Sequence, residues 1–277
     1  MELSKNRVVR AVVLAILSLY ALITVIPFLW SVSTALTKTH HVDLLLQNWG
    51  IPPEPTLDNF RYLLKHGDFG RWFLNSLIVT VCTTVGKAFF NSLAGYALAR
   101  IDFPGREFWF WFIISSMMIP SIVILVPRYL IVHHLGWLNK YEGMIVPSLT
   151  TAFGVFLMRQ FFLTIPKELE EAARIDGLSR FGIFWRVVLP LSRPALAAQV
   201  IFNFMEEWNN FVWPNLVARS RDMYTLTVGL QVFKNEHYSF WNQVMAGSMF
   251  LTIPIIIVYL IFNRWFIRGI TISGLKG

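Results

Sequence analysis

Six apolar runs, each long enough to cross a bilayer as a helix, leave this chain few folds to choose from. A hydrocarbon core of about 30 Å takes roughly 20 residues of helix, and inside it every backbone polar group must find a partner within its own segment. The runs lie near 8–36, 72–98, 108–127, 141–162, 194–216 and 244–265. They predict an all-α membrane protein with six transmembrane helices, formed by residues 1–277 as a single domain. The first run follows Lys5, Arg7 and Arg10, and Ser31-Val32-Ser33 imitates a signal-peptide cleavage site. Its apolar stretch exceeds the usual signal core, and Trp30 fits badly before such a site, so it reads as a retained anchor. The length of 277 residues would allow two soluble domains, but 55% hydrophobic and 14% charged residues point to a membrane protein instead. Cys82, the single cysteine, lies inside an apolar run and can form no internal disulfide.

Charge then assigns the loops. A net charge of +8 could suggest nucleic acid, but the basic residues gather at the ends of the apolar runs. That is the positive-inside pattern. With the N-terminus in the cytoplasm, the inner loops hold 14 Lys and Arg and the outer ones 9, with Lys87 left inside the membrane. The asymmetry predicts both termini in the cytoplasm. The outer stretches are 37–71, 128–140 and 217–243. The first carries Pro52, Pro53 and Pro55 and reads as irregular; the last sets Tyr224, Phe233, Tyr238, Phe240 and Trp241 among charges. Aromatics of that kind suit recognition or the membrane interface.

The same topology puts residues 166–193 in the cytoplasm, a polar stretch between two membrane runs. It reads as two short helices joined by a turn. Pro166 suits the first helical position, and Glu168, Glu170 and Glu171 sit where a helix dipole favours negative charge. Gly177 can end the first helix in a left-handed conformation, Ser179 can cap the second and Pro190 can stop it. Leu169, Ala172, Ala173 and Asp176 fall at i, i+3, i+4, i+7, as do Phe181, Phe184, Trp185 and Val188. A compact hairpin with small alanines on one face suits docking into another protein.

Glu171, Ala172, Ala173, Gly177, Leu189 and Pro190, with Val187 in place of Ile, resemble the "EAA" signature of ABC-importer permeases. Tyr96-Ala-Leu-Ala-Arg100, Phe103-Pro-Gly-Arg106, Leu135-Gly-Trp-Leu-Asn139, Ala152-Phe-Gly-Val-Phe156, Trp208-Asn-Asn-Phe211 and Gly274-Leu-Lys-Gly277 are similar to the carbohydrate, maltose-permease-like branch. The resemblance implies a multi-pass subunit of a prokaryotic cytoplasmic (inner) membrane that forms half of a pore for a sugar or oligosaccharide. It also implies its partners: a second, homologous but non-identical permease, an ABC ATPase dimer that binds ATP and Mg, and an extracytoplasmic solute-binding protein. Glu171, Ala172, Ala173, Asp176, Gly177, Leu189 and Pro190 would then make the coupling contact with the ATPase.

The residues agree that the engine lies elsewhere. A P-loop needs Gly-x4-Gly-Lys-Ser/Thr, whereas Gly86-Lys87 is followed by Ala88 and lacks the upstream glycine. No zinc-protease, Cys-x-x-Cys or nucleophile-elbow motif occurs, so no cofactor, metal site or enzyme activity is expected in this chain, and no nucleic-acid partner. His40-His41 and His133-His134 read as solvated or interfacial residues.

Polar residues also stand inside two runs. Ser76, Thr80, Thr83, Lys87 and Asn91 share one helical face in the second. The fifth holds Asn203, Glu206, Glu207, Trp208, Asn209 and Asn210, followed by Phe211; Glu206 lies about 18 Å beyond Pro194 at 1.5 Å per residue. A lysine at the bilayer centre costs about 2.5–3.5 kcal/mol on insertion scales, so it must face protein or water. Two readings stay open. These groups hold the bundle together, or Lys87, Asn91, Asn203, Glu206, Glu207, Trp208, Asn210 and Phe211 line a translocation path. Glu206, Glu207 and Lys87 match no motif of the family. A rival function is a proton-coupled secondary transporter with Glu206 or Glu207 as carrier, and a third is a membrane assembly protein without transport. Pro27, Pro120, Pro127, Pro147, Pro214 and Pro254 predict kinks.

Overall fold

The computed structural model describes residues 7–38, 50–52, 54–65, 68–233 and 240–273. Lys5, His40, His41, Pro53, Lys234, Tyr238 and the Gly274–Gly277 motif lie outside the described residues, so the expectations placed on them have no structural counterpart. The described residues are nearly all helical, with one isolated bridge between Thr37 and Pro55. The helices are α1 (Arg7–Ala35), α2 (Asp58–Lys65), α3 (Phe69–Arg100), α4 (Arg106–Ser115), α5 (Leu125–His134), α6 (Tyr141–Ile145), α7 (Ala152–Leu163) and α8 (Lys167–Ile175). They continue with α9 (Arg180–Ile183), α10 (Leu189–Leu191), α11 (Arg193–Trp208), α12 (Val212–Val217), α13 (Leu226–Gly229) and α14 (Trp241–Ser273). The chain forms two compact units: Met1–Phe69 with Leu230–Phe250, and Gly70–Gly229 with Leu251–Gly277.

In the first unit α1 is apolar all round, and its membrane-length part, Val8–Ala35, is almost wholly exposed. A helix without a polar face has no use for water, so this surface belongs to lipid or another chain. At the end of α1, Asn59 donates to the carbonyls of Ala35 (2.7 Å) and Thr37 (2.9 Å) and accepts from Asn242 (2.9 Å). Phe69 and Phe250 meet edge to face at 4.9 Å.

In the second unit α3 is an unbroken helix of 32 residues. Its polar face is turned inward: Ser76, Thr80, Thr83, Lys87 and Asn91 are all buried. The α3–α7 crossing is tight enough to require glycine. A Cβ on Gly95 would lie 2.8 Å from Met158 Cβ and 2.9 Å from the Arg159 nitrogen. Small residues let backbones approach in this way where no water drives helices together.

Three helices, Val8–Ala35, Phe69–Arg100 and Trp241–Trp265, are each long and apolar enough to cross a membrane. Pro27 and Pro254 lie inside α1 and α14 without breaking them. The other three runs are not the continuous helices expected. The run at 108–127 ends α4 at Ser115, passes through a 3-10 turn and an irregular stretch, and restarts as α5. Pro120 is the cause: it lacks an N–H and holds Ile119 extended (φ −89°, ψ 115°), while Ser115 and Ser116 bond back to the Phe112 and Ile113 carbonyls at 2.8 and 2.6 Å. The run at 141–162 is bent by 44° at the 3-10 turn containing Pro147 and the residues before α7. The run at 194–216 stops at Trp208, and α12 restarts beyond Asn209-Asn210, with the Asn210 side chain accepting from the Trp213 N–H at 3.4 Å. Pro127 and Pro214 fall in the first turns of α5 and α12, where proline is tolerated.

Candidate coupling hairpin and intramembrane charge cluster

Residues 166–191 form the expected hairpin, with differences in detail. Pro166 precedes the first turn as the cap residue of α8. Gly177 makes the turn at φ +84° with nothing within 4 Å of a would-be Cβ, so backbone conformation alone calls for glycine. Ser179 caps α9, its hydroxyl accepting from the Gly182 N–H at 3.2 Å. Pro190 does not stop the helix. It sits in α10, behind a π-helical stretch at Phe184–Val188, and the chain turns 79° only at Ser192. Proline leaves the carbonyl four residues back without its usual donor, and a widened π turn is one way a helix absorbs that loss.

The hairpin rests on the bundle through a face that the apolar periodicity did not mark. Glu170 and Ala173 point inward, whereas Glu171, Ala172, Asp176 and Gly177 are exposed. The expected stripe of Leu169, Ala172, Ala173 and Asp176 is thus split, with Ala173 packed into a core that includes Tyr96, Phe162, Phe184 and Val188. A buried ion pair fixes this rotation. Arg100 Nε lies 2.8 Å from Glu170 Oε1, with the two side chains 4% and 10% exposed. The Tyr96 hydroxyl donates to Glu170 Oε2 at 3.2 Å. Arg100 also donates to the carbonyls of Phe162 (2.7 Å) and Ile165, past the end of α7. The hairpin also leaves large apolar side chains in the open: Leu169, Ile175 at 87% exposure, Phe181 and Trp185. Leu189 is half-buried and Pro190 exposed.

Sequence reasoning does not single out Glu170, Tyr96 and Arg100 as site residues. Tyr96 and Arg100 bound the Tyr96-Ala-Leu-Ala-Arg100 motif, but Glu170 is hidden among three acidic residues that the helix dipole already explains. The signal that could find it is an arginine at the end of α3, which needs a carboxylate once buried.

The second cluster lies in the membrane runs. Lys87 Nζ sits 2.7 Å from Glu207 Oε1 and 3.3 Å from Glu206 Oε2. The side chains of Lys87 and Glu207 are 2% and 5% exposed, and that of Glu206 66%. Arg128 lies within electrostatic reach of Glu207, stacks over Trp213 at 3.9 Å and donates to Ser148. Asn91 holds two helices together. Its side-chain carbonyl accepts from the Thr151 N–H and Thr150 hydroxyl, both at 3.0 Å, fastening the start of α7 to α3. Trp208 is buried, donates to the Leu251 carbonyl at 2.8 Å and stacks on Phe204. Asn203 is buried with its amide nitrogen unpartnered among the described residues. Asn210 is half-buried and binds Thr227 through its backbone carbonyl at 2.8 Å. Of the expected path residues, only Glu206 and Phe211 are exposed. On α11 Glu206 shares an exposed face with Phe202, Met205 and Asn209, at helical spacing. His133 and His134 end α5, exposed.

Residues 91–272 match the family model of the binding-protein-dependent transport system inner membrane component. The chain belongs to this family. It is a permease component of a binding-protein-dependent ABC importer, embedded in the membrane by several passes and not the catalytic subunit of its system. The match covers the hairpin and α11 and leaves Lys87 outside. The proton-driven alternative gives way to this membership. The chain is 40% identical over 227 residues to the arabinooligosaccharides transport system permease protein AraQ of Halalkalibacterium halodurans, covering 82% of this chain and 81% of that protein. It is 39% identical over 207 residues to the sn-glycerol-3-phosphate transport system permease protein UgpE of Yersinia pestis, covering 74% of each. Among solved structures, a bacterial ABC transporter involved in the import of the acidic polysaccharide alginate aligns with a TM-score of 0.81 and 26% identity, over 94% of this chain and 97% of that one. A second chain, from the alginate transporter in complex with an alginate pentasaccharide-bound periplasmic protein, aligns at 0.64 and 15% identity over 92% and 94%, and shows the fold alone.

Proposed function

We propose that this permease is one half of the translocation pore of a saccharide importer and takes its power stroke from a separate ABC ATPase through the 166–191 hairpin. The observation that carries this reading is the two-sidedness of the hairpin. One face is clamped to its own bundle by Glu170 and Ala173, while away from it Ile175, with Leu169, Phe181 and Trp185, is left open. Exposed large apolar side chains on a cytoplasmic element suit a cleft in another protein. Glu171, Ala172, Asp176 and Gly177, exposed on the same hairpin, and Leu189 and Pro190 at its far end would complete the coupling contact. ATP and Mg would be bound by the ATPase dimer, in keeping with the absence of a P-loop here.

The pore face is the exposed stripe of α11, with Glu206 and Phe211 as saccharide contacts. A carboxylate accepts hydroxyl hydrogens, and an aromatic ring covers the apolar face of a sugar. Glu206 cannot rest in lipid at low cost, so water or substrate is its natural neighbour. The names of the relatives, which mention arabinooligosaccharides, sn-glycerol-3-phosphate and alginate, support a saccharide or a compound related to one. Residues 1–277 make one permease domain of six passes, the broken third run included, with both termini cytoplasmic. A homologous sister permease and an extracytoplasmic binding protein complete the assembly.

Purification of the full chain from its native membrane in mild detergent tests this. An ABC ATPase and a second permease should co-purify, and ATP hydrolysis should rise when a saccharide-loaded binding protein is added. A preparation that transports saccharide without an ATPase would refute the reading.

A further inference from the structure

We propose that Arg100, Glu170 and Tyr96 form a latch that makes the hairpin and α3 a single lever, so that these three are positioning residues for coupling rather than docking residues. The proposal rests on the reading that the hairpin takes its stroke from an ATPase.

Three features set this cluster apart from an ordinary ion pair. First, it is closed. Arg100 and Glu170 are almost wholly buried, and the second carboxylate oxygen is held by the Tyr96 hydroxyl. Second, Arg100 joins three elements at once: it ends α3, pairs with α8 and binds the carbonyls of Phe162 and Ile165 around the end of α7. Third, α3 carries the load onward. About 20 Å of helix separates Arg100 from Lys87, which pairs with Glu207 on α11. A hairpin free to swivel on its connecting residues would absorb a push from below. Glu170 fastened to the end of α3 removes that freedom, and displacement of α8 must displace α3. A buried pair has few alternative partners, and removing one member leaves a charge stranded, so the joint resists slipping.

The test uses the full chain assembled with its partner subunits in proteoliposomes and reads saccharide taken up per ATP hydrolysed. Glu170→Gln keeps the side-chain shape but removes the charge that holds Arg100. It should lower uptake per ATP at least tenfold in complexes that still contain the ATPase. Arg100→Lys, which keeps a cation at the joint, should recover more than half of the wild-type ratio. Tyr96→Phe keeps the ring and loses only the hydroxyl, and should lower the ratio two- to fivefold. A merely structural role would reduce assembled complex and uptake together and leave the ratio unchanged; that result in Glu170→Gln overturns the latch. If Glu170→Gln fails to assemble, Tyr96→Phe decides, and an unchanged ratio there overturns it equally. The coupling reading fails separately, by the absence of an ATPase from the wild-type preparation.

Discussion

Helix α3 carries two buried ion pairs, and they are built differently. Arg100–Glu170 is a closed joint: both side chains are buried, and spare donors and acceptors go to Tyr96 and to the Phe162 and Ile165 carbonyls. Lys87 is open on one side: it is shared between buried Glu207 and exposed Glu206. In the latch proposed above, the closed pair joins elements that move together. The open pair brings a charged group into contact with whatever fills the space beside α11. Charge inside a membrane protein can thus serve as a fastener or as a contact, and the exposure of the last member separates the two.

The largest expected effects fall on the pairs themselves. Breaking a buried pair by removing one partner costs about 3–5 kcal/mol. Lys87→Met should show this as a lowered unfolding midpoint in detergent. Adding Glu207→Gln should recover most of the loss, and adding Glu206→Gln should not, because Glu206 is already exposed. Arg100→Met should cost a similar amount, but adding Glu170→Leu should recover little, since two carbonyls stay without their donor. Equal recovery at both sites would erase the distinction between the pairs.

Next in size is the turn. At φ +84° a β-branched residue is strained by about 1–3 kcal/mol, so Gly177→Val should lower uptake sharply while the protein still inserts. Gly177→Ala should be much milder, because no atom crowds the site. Comparison of the two by uptake assay separates strain from contact. Smallest is the cap: Ser179→Ala should cost about 1 kcal/mol, read as a small fall in the unfolding midpoint with the ATPase still bound.

Much of this is legible in the sequence. The caps and breakers of the hairpin, Ser179 and Gly177, act locally and can be read from their neighbours. The inward face of α3 follows from the spacing of Ser76, Thr80, Thr83, Lys87 and Asn91, because polar groups at membrane depth must turn toward protein. The breaks in the third, fourth and fifth runs are less legible. Apolar length alone cannot tell a straight helix from two pieces; Pro120, with extended Ile119 before it, and Pro147 stand at breaks, while nothing comparable marks the stop at Trp208. The rotation of α8 is not legible at all. Its apolar stripe points one way, but one buried carboxylate, chosen by Arg100 from a distant part of the chain, turns it another. In the sequence Asn91 stands equally well for path or scaffold; its bonds to Thr150 and Thr151, which tie the start of α7 to α3, could not be read there.

The two faces of the hairpin can be told apart directly by disulfide cross-linking to the ATPase. In a Cys82→Ala background, single cysteines at Ile175 and at Ala173 would each be paired with a series of cysteines along the partner's docking cleft. Position 175, exposed on the side away from the bundle, should cross-link in the assembled complex, and position 173, packed against the bundle, should not. Efficient cross-linking from 173 with none from 175 would contradict the outward docking face and, with it, the division of the hairpin into a clamped side and a coupling side.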